Sequence, residues 1–198
     1  MDSSLQHSAE SGQPGVEELF KKAGVVLEGH FLLTSGLHSP VYWEKFRILQ
    51  FPDYTGILCS LIAEHFRHKH PGVVVGPTTG GVILAFETAR LLGTRGIFAE
   101  KDGNTRSLRR DFSIAAGEKV LVVDDVLTTG KSVRETLEAV RSLGGDVVGV
   151  GVLVDRSESC LCFGTELFSC LRAPTVAYAP DQCPLCAAGV ALTKPGGA

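Results

Sequence analysis

Three features are scarce in this sequence, and each scarcity excludes a class of protein. No apolar run approaches the roughly 20 residues that a membrane-spanning helix needs, so we expect no membrane partner. Basic residues are not in excess, because 19 Lys and Arg stand against 22 Asp and Glu. Nucleic-acid binding, which depends on neutralising many phosphates, is therefore not expected. Residues 1–15 are polar and lack a signal-peptide core, which predicts a disordered start and a cytoplasmic protein.

The composition is that of one globular domain with an α/β fold. A chain of 198 residues can bury a full core, and 44% hydrophobic with 21% charged residues is ordinary for such a domain. Strand patterns alternate with helical patterns, which predicts a mostly parallel sheet of about five strands flanked by helices over residues 16–198. The main segments are helices at 14–23, 52–70, 82–92 and 131–143 and strands at 73–75, 96–100, 120–123 and 147–154.

The stretch Lys119–Ser132, KVLVVDDVLTTGKS, carries the strongest functional pattern. Val120–Val123 is an apolar run typical of a strand buried on both faces of a parallel sheet, and Asp124 and Asp125 follow where we expect it to end. Thr128–Ser132 then offers hydroxyl groups, a glycine and the amides of a helix start, which together bind phosphate. An acid pair that accepts hydrogen bonds from hydroxyls, followed by a phosphate site, indicates a sugar phosphate.

Two other interpretations apply to parts of this stretch. An acid pair after a strand is often only a turn with a helix cap. The run Gly130-Lys131-Ser132 matches the end of a Walker A loop, which requires a glycine five residues before Gly130. Asp125 occupies that position, so a nucleotide P-loop is excluded.

Taken whole, the stretch resembles the phosphoribosyl-diphosphate motif of the type I phosphoribosyltransferases. The resemblance implies the type I phosphoribosyltransferase fold, an acid pair that holds the ribose 2- and 3-hydroxyls, and a loop that binds the 5-phosphate. It also implies Mg2+, held mainly through the substrate, with the two aspartates as candidate ligands. The implied binding residues of this stretch are Asp124, Asp125, Val126, Leu127, Thr128, Thr129, Gly130, Lys131 and Ser132.

A second loop with phosphate-binding character follows the strand at 73–75. Its sequence, GPTTGG at 76–81, is a glycine-rich turn into a helix, and such a turn presents backbone amides to an anion. A plain strand-to-helix turn is the alternative. In the resembled family the matching loop contacts the pyrophosphate, which implies that role for Thr78, Thr79 and Gly80.

The segment 29–49, GHFLLTSGLHSPVYWEKFRIL, predicts two β-runs joined by a turn at 35–40. One interpretation is a plain hairpin that packs Phe31, Leu33 and Tyr42 on the core. Its F-x-L-x-SG-x-x-S-P-x-Y pattern also resembles the amino-terminal hairpin of the orotate phosphoribosyltransferases, which forms part of a hood over the base. The resemblance implies a hood at 16–50 and places Tyr42 and Trp43 near orotate.

Arg156 is the candidate residue for base recognition. It follows the strand at 147–154 in the run Asp155-Arg156-Ser157-Glu158, so we expect it at the same sheet edge as the acid pair. A guanidinium there can bind a carboxylate with two hydrogen bonds, although a surface pair with Glu158 is an alternative. The resembled family uses an arginine in this D-R-x-E position to hold the base, with Thr128 as a further orotate contact.

The segment 102–113 is a basic loop in which the sequence departs from the family pattern. In orotate phosphoribosyltransferases the loop begins with a basic pair and carries a further lysine and histidine that reach the neighbouring subunit's site. Here Lys101 matches the second member of the pair and implies a catalytic role toward pyrophosphate, but Glu100 replaces the usual arginine. No lysine or histidine follows before Lys119, which leaves Arg106 and Arg109 as replacements, or a solvated hairpin as the alternative.

The resemblance implies that the chain transfers the phosphoribosyl group of phosphoribosyl diphosphate to orotate. The products are orotidine 5-phosphate and pyrophosphate, a step of pyrimidine biosynthesis, and the family suggests a homodimer with shared sites. Two alternatives stay open: a phosphoribosyltransferase for another base such as uracil or xanthine, and a non-catalytic sensor of phosphoribosyl diphosphate.

Five of the six cysteines lie in the expected carboxyl-terminal extension, 159–198. Cys160, Cys162, Cys183 and Cys186 are a candidate zinc set, because Cys183-x-x-Cys186 has the spacing of a structural zinc site. Reduced structural thiols are the alternative. Cys59 lies on an apolar helix face and predicts packing. The histidines of HFRHKH at 65–70 are expected at a solvated helix end, without a metal.

Overall fold

The computed structural model describes residues 15–33 and 35–195, so the predicted disorder of 1–15 falls almost wholly outside the described residues. The strands are β1 (Val26–Leu32), β2 (His38–Trp43), β3 (Val73–Pro77), β4 (Arg95–Asp102), β5 (Thr105–Leu108), β6 (Lys119–Leu127), β7 (Asp146–Asp155) and β8 (Leu167–Arg172). The α-helices are α1 (Val16–Lys22), α2 (Phe46–Leu49), α3 (Pro52–Phe66), α4 (Gly80–Leu92), α5 (Lys131–Ser142) and α6 (Pro184–Ala187), with 3-10 turns at Arg67–Lys69 and Pro180–Gln182.

The central sheet has six strands in the order β5-β4-β3-β6-β7-β8. All neighbouring pairs are parallel except β4 and β5, which form an antiparallel hairpin at one edge. This confirms the predicted mostly parallel sheet. The strand β8 was not predicted, and it lies in the segment expected to be an extension, so that segment contributes to the central sheet.

The central strands bury both faces, which explains their nearly uninterrupted apolar sequence. Along β6, Leu121 and Val123 face a cluster with the helices α3 and α4, while Val120 and Val122 face a second cluster with α5. Because side chains alternate along a strand, one apolar run supplies both layers of the core. The polar groups of the site are therefore confined to the carboxyl ends of the strands.

Two predicted boundaries are wrong. The strand β6 continues to Leu127 rather than ending at Val123, because β7 pairs with it as far as Leu127↔Asp155. The acid pair thus lies inside a strand and not in the turn after it. The hairpin pattern predicted up to residue 49 ends as strand at Trp43, and Phe46–Leu49 forms the short helix α2.

The hood consists of α1 and the antiparallel hairpin β1–β2. The carboxyl-terminal segment extends this small sheet on both sides, with a parallel bridge Phe31↔Thr193 and an antiparallel bridge His38↔Tyr178. Within the described residues, every helix is too short or too polar to cross a bilayer.

Candidate active site

The acid pair of β6 is buried at the carboxyl edge of the sheet. Asp124 Oδ2 accepts a hydrogen bond of 2.6 Å from the hydroxyl of Ser132, and its Oδ1 accepts one of 2.9 Å from the backbone N–H of Asp125. The bond from Ser132 fixes the phosphate loop, which ends at this residue, to the strand that carries the acids. The sequence-predicted acid and phosphate elements are therefore parts of one site.

The carboxyl group of Asp124 has an unusual protonation equilibrium. Burial, and secondly the charge of Asp125, raise the pKa of Asp124 to about 7, and the hydrogen bond from Ser132 only partly offsets them. The group therefore titrates close to neutral pH in the free protein. Hydroxyl donors or a cation would favour the charged form, because a carboxylate accepts several hydrogen bonds and attracts positive charge.

Lys45 is a site residue that the sequence analysis missed. Its Nζ lies 3.0 Å from Oδ1 and 2.8 Å from Oδ2 of Asp125 and forms an ion pair between the hood and the sheet. The Oδ2 contact lacks hydrogen-bond geometry, and this buried oxygen has no hydrogen-bond partner among the described residues. The only sequence signal was a lysine two residues after Trp43, which no motif required.

The glycine-rich turn between β3 and α4 adjoins the acid pair. A Cβ added at Gly80 would overlap Oδ2 of Asp125, and one at Gly76 would overlap the carbonyl of Gly81. Only glycine, which lacks a Cβ, allows these approaches, so the close packing of the turn explains two glycines of the GPTTGG pattern. Thr79 directly precedes α4 without a capping hydrogen bond from its side chain, and Thr78 Oγ1 lies 3.4 Å from Nη1 of Arg106.

The predicted phosphate-binding residues differ in their exposure. Thr128, Thr129 and Lys131 are exposed, and Gly130, at φ 76°, lets the chain turn into α5. Lys131 Nζ has only a 3.7 Å contact with Glu135. Leu127 is buried in the core, so its side chain cannot contact a ligand. Val126 is half-buried, and its backbone N–H donates to Oδ1 of Asp125 at 2.7 Å.

Arg156 is buried, with 7% of its surface exposed, and its guanidinium carbon lies 5.4 Å from the ring centroid of Trp43. Among the described residues its Nε has no hydrogen-bond partner, and no ion pair joins it to Glu158. Burial lowers its pKa. A buried cation without a counter-ion is costly, so this position is suited to an anionic ligand.

The hood places Tyr42 beside Phe31, with ring centroids 5.7 Å apart.

The basic loop at 102–113 begins as the turn and second strand of the hairpin β4–β5, which agrees with the hairpin alternative in the sequence analysis. Arg109 pairs with Asp102 and Arg110 with Glu100, each at 2.9 Å. Arg106 instead points inward, where its Nη1 lies 3.4 Å from the carbonyl oxygen of Thr78. The side chain of Lys101 is exposed and makes no hydrogen bond or ion pair within the described chain, and its role toward pyrophosphate stays a prediction.

A cleft of about 430 Å³ lies beside Trp43, between α1, β1 and β8. It is lined by Phe20, Glu28 and Arg172 among others, and neither aspartate of the pair reaches it. The chemistry of the acid pair and Arg156 therefore locates the site better than cavity volume does.

The candidate four-cysteine zinc set is wrong. Cys160 and Cys162 are exposed, and within the described residues they join no cluster of metal-ligating groups. Cys183 and Cys186 lie instead beside two histidines of the hood. Cys59 is buried as expected, and burial raises its pKa to about 12.

Comparison with known proteins agrees with this geometry. Residues 47–161 match the family model described as "Phosphoribosyl transferase domain". An orotate phosphoribosyltransferase of Pelotomaculum thermopropionicum is 51% identical over 90% of this chain and 94% of its own, and that of Caldanaerobacter subterraneus subsp. tengcongensis is 49% identical over 91% and 95%. The solved orotate phosphoribosyltransferase of Aeropyrum pernix superposes with a TM-score of 0.69 at 31% identity, covering 79% of this chain and 93% of that one. The chain therefore belongs to the phosphoribosyltransferase family and, within it, to the orotate phosphoribosyltransferases.

Proposed function

We propose that this chain transfers the phosphoribosyl group of phosphoribosyl diphosphate to orotate in pyrimidine biosynthesis, with the crevice at the carboxyl edge of the sheet as its active site. The proposal depends on two buried groups of opposite charge at this edge, each of which lacks a partner that a ligand could supply. Asp125 Oδ2 lacks a hydrogen bond, and the buried guanidinium of Arg156 lacks a counter-ion. A ribose hydroxyl and the carboxylate of orotate complement them.

The acid pair and the loop after it bind the ribose 5-phosphate part. Asp124 and Asp125 accept hydrogen bonds from the 2- and 3-hydroxyls, while the loop Thr128–Ser132 binds the 5-phosphate at the start of α5 through its backbone amides and the hydroxyls of the exposed Thr128 and Thr129. The phosphate is remote from the reacting carbon. Its binding energy can therefore position the ribose for reaction.

The turn of Thr78, Thr79 and Gly80 binds the pyrophosphate through the backbone amides of Thr79 and Gly80 and the hydroxyl of Thr78, because the Thr78 amide already donates to the carbonyl of Ala99 at 3.0 Å. We assign the cationic part of this subsite to Arg106, which already contacts Thr78, together with Lys101. Arg106 stands in this proposal for the lysine that the family places in a longer loop. Lys101 reaches the leaving group only if its exposed side chain moves or the edge hairpin closes.

The base binds between Arg156 and the hood. Two N–H groups of the guanidinium hold the orotate carboxylate, and Trp43 beneath the same guanidinium, with Tyr42 and Thr128, limits the space for the ring. Uracil lacks the carboxylate and would leave the buried cation unpaired, which is the physical basis for selecting orotate.

Mg2+ is the proposed cofactor, held mainly through the substrate. The crevice offers a hard oxygen donor in Oδ2 of Asp125, which has no hydrogen bond but lies 2.8 Å from the Lys45 ammonium, so the substrate's oxygens would supply most of the ligands. When bound, the ion neutralises charge on the pyrophosphate and makes it a better leaving group. The chain's own residues orient the ribose and base so that the C–N bond to orotate forms as the C–O bond to pyrophosphate breaks, through an oxocarbenium-like state. The proton of the attacking orotate nitrogen passes to the departing pyrophosphate or to water.

We further propose a cytoplasmic homodimer formed by one domain over 16–198. Four exposed apolar side chains support a self-association surface: Phe46, Phe51, Ile83 and Phe86, the last with 69% exposure. All six cysteines are free, as is typical of a reducing compartment. Light scattering of Phe86→Asp beside the wild type tests the surface: a dimer that survives this change uses another face.

The function is tested by measuring pyrophosphate release from phosphoribosyl diphosphate with orotate, uracil, xanthine and no base. Release that requires orotate, with equimolar orotidine 5-phosphate, is the expected result. Preferred turnover of uracil or xanthine would identify another phosphoribosyltransferase. Substrate binding without turnover of any base would indicate a sensor.

A further inference from the structure

Four metal-ligating side chains meet at the tip of the hood, away from the active site. They are His30 of β1, His38 at the start of β2, Cys183 before α6 and Cys186 within α6, and their nearest ligand atoms all lie within 4.8 Å of one another. His30, His38 and Cys183 are buried, and Cys186 is exposed on the remaining side. Two imidazoles and two thiols are the donor set of a structural zinc site.

The distances within the cluster match a tetrahedron around a common centre. Zn–S bonds of about 2.3 Å and Zn–N bonds of about 2.0 Å, at tetrahedral angles, predict N···N separations of about 3.3 Å and N···S separations of about 3.5 Å. In the structure His30 Nε2 lies 3.0 Å from His38 Nδ1, 3.5 Å from Cys183 Sγ and 3.7 Å from Cys186 Sγ. His38 Nδ1 lies 3.2 Å from Cys186 Sγ.

The surroundings orient these ligand atoms. Nδ1 of His30 is 2.8 Å from the carbonyl oxygen of Val190, so Nδ1 carries the proton and the lone pair of Nε2 points into the cluster. A backbone carbonyl on the second nitrogen is the usual support of a metal-bound histidine. The two cysteines are held by one turn of backbone, in which the N–H of Ala187 donates to the carbonyl of Cys183.

We propose that His30, His38, Cys183 and Cys186 bind one Zn2+ that fastens the carboxyl-terminal segment to the hood. Sulfur and imidazole donors select zinc over Mg2+, which requires oxygen ligands, so the site is chemically distinct from the substrate's magnesium. It is also spatially distinct, because His38 and Trp43 lie at opposite ends of β2, roughly 17 Å apart at strand rise.

The structural consequence is a cross-link between segments that are 145 residues or more apart in sequence. Around the cluster, Leu32 N–H donates to Thr193 at 2.9 Å, and Tyr178 and His38 exchange backbone hydrogen bonds of 2.8 and 2.9 Å. A two-stranded hairpin is marginal alone, and within the described residues the bridges to Thr193 and Tyr178 are the backbone pairings that extend it. Zinc would hold them in place without contacting substrate.

Metal analysis of protein purified without chelators or a histidine tag provides the first test. We expect about one zinc per chain in the wild type, a value set by the single four-ligand cluster. Cys183→Ser and Cys186→Ser should lose it, whereas the matched controls Cys160→Ser and Cys162→Ser, which change exposed cysteines nearby in sequence, should retain it. Loss of zinc in the control variants instead would overturn the assignment of the ligands.

Cobalt uptake by the wild-type chain supplies a test that does not depend on the folding of variants. Chelator-treated protein should bind one Co2+ with the visible bands of tetrahedral coordination and a thiolate charge-transfer band, and Zn2+ should displace it. Zinc removal should lower the melting temperature, and zinc addition should restore it. No stoichiometric zinc or cobalt binding, or a Cys183–Cys186 disulfide that leaves four titratable thiols, would overturn the proposal.

Discussion

The active-site crevice and the hood cluster are built from the chain in opposite ways. The crevice takes its acid pair and phosphate loop from one strand-loop-helix unit, 119–132, so the functional groups are neighbours in sequence. The cluster joins His30 and His38 to Cys183 and Cys186 across most of the chain. Local chemistry of the first kind can be recognised in a sequence, whereas a cluster of the second kind exists only after folding.

The two regions also differ in what remains unsatisfied. In the crevice, burial raises the pKa of Asp124 to about 7 and leaves Arg156 without a counter-ion, which are costs that substrate binding can offset. In the cluster the four ligand atoms already point at one another, so a metal would complete a structural unit. Changes in the crevice should therefore affect activity, and changes in the cluster should affect stability.

The largest expected effect is that of Asp124→Asn with Asp125→Asn. Loss of both carboxylates should lower kcat/KM by about a thousand-fold, because their contacts with the ribose matter most in the transition state. The melting temperature should change little, since the double variant removes buried charge. Steady-state kinetics and calorimetry provide the two readouts. Asp146→Asn, at the opposite edge of the same sheet, is the matched control, and full activity in the double variant would contradict the site.

A smaller loss is expected from Gly80→Ala. The added methyl group would overlap Asp125 Oδ2 and displace it, and a misplacement of this size costs about a hundred-fold in turnover. Gly56→Ala is the control. Gly56 lies inside α3, where alanine favours the helix, and the added Cβ would lie an ordinary 3.4 Å from the side chain of Glu87. Equal kcat values for the two variants would show that the position of the Asp125 carboxylate does not depend on the missing side chain at Gly80.

Arg156→Ala should act on one substrate. The KM for orotate should rise by about 10- to 100-fold, the equivalent of a charge-assisted pair, with much less change for phosphoribosyl diphosphate. Arg156→Lys should recover only part, since an ammonium lacks the planar fork. Arg95→Ala at the opposite edge of the sheet is the control. A similar KM increase for both substrates would make Arg156 a structural residue.

The smallest effect concerns pH and Lys45. Binding needs the carboxylate of Asp124, so kcat/KM for phosphoribosyl diphosphate should fall as the pH drops through about 7. The charge of Lys45 lowers the pKa of Asp124, and Lys45→Met should therefore raise it and move this acidic limb to higher pH. Lys22→Met, in an exposed pair with Glu18, should leave the profile unchanged. An acidic limb at the same pH in Lys45→Met and the wild type would show that Lys45 does not set the pKa of Asp124.

The sequence predicted most of the fold because the core strands are apolar on both faces and the helices are periodic. It missed β8, whose residues Leu167–Arg172 are only half-buried and carry no continuous apolar signal. It ended β6 too early, because pairing with β7 carries the strand through two aspartates that normally favour turns. Each error occurred where tertiary pairing outweighed local preference.

The sequence offered candidate site residues where the chemistry is contiguous, and it missed Lys45, whose contact depends on the fold. Asp124, Asp125, Arg156 and the two loops were identified from motifs, but Lys45 reaches Asp125 only through the fold. For the proposed zinc ligands, the Cys183-x-x-Cys186 spacing indicated two of the four clustered side chains but grouped them with Cys160 and Cys162 instead of His30 and His38. The histidines that complete the cluster lie on a hairpin about 150 residues away, as in His30 and Cys183 with a separation of 153.

The central claim, that Arg156 in the crevice selects orotate by its carboxylate, is tested most directly by product binding. Orotidine 5-phosphate and uridine 5-phosphate differ only in that carboxylate, and calorimetry can give both dissociation constants for the wild type and for Arg156→Ala. The account predicts that the wild type prefers orotidine 5-phosphate by about 10- to 100-fold and that the variant loses this preference. Equal wild-type affinities, or a preference that survives in Arg156→Ala, would contradict it.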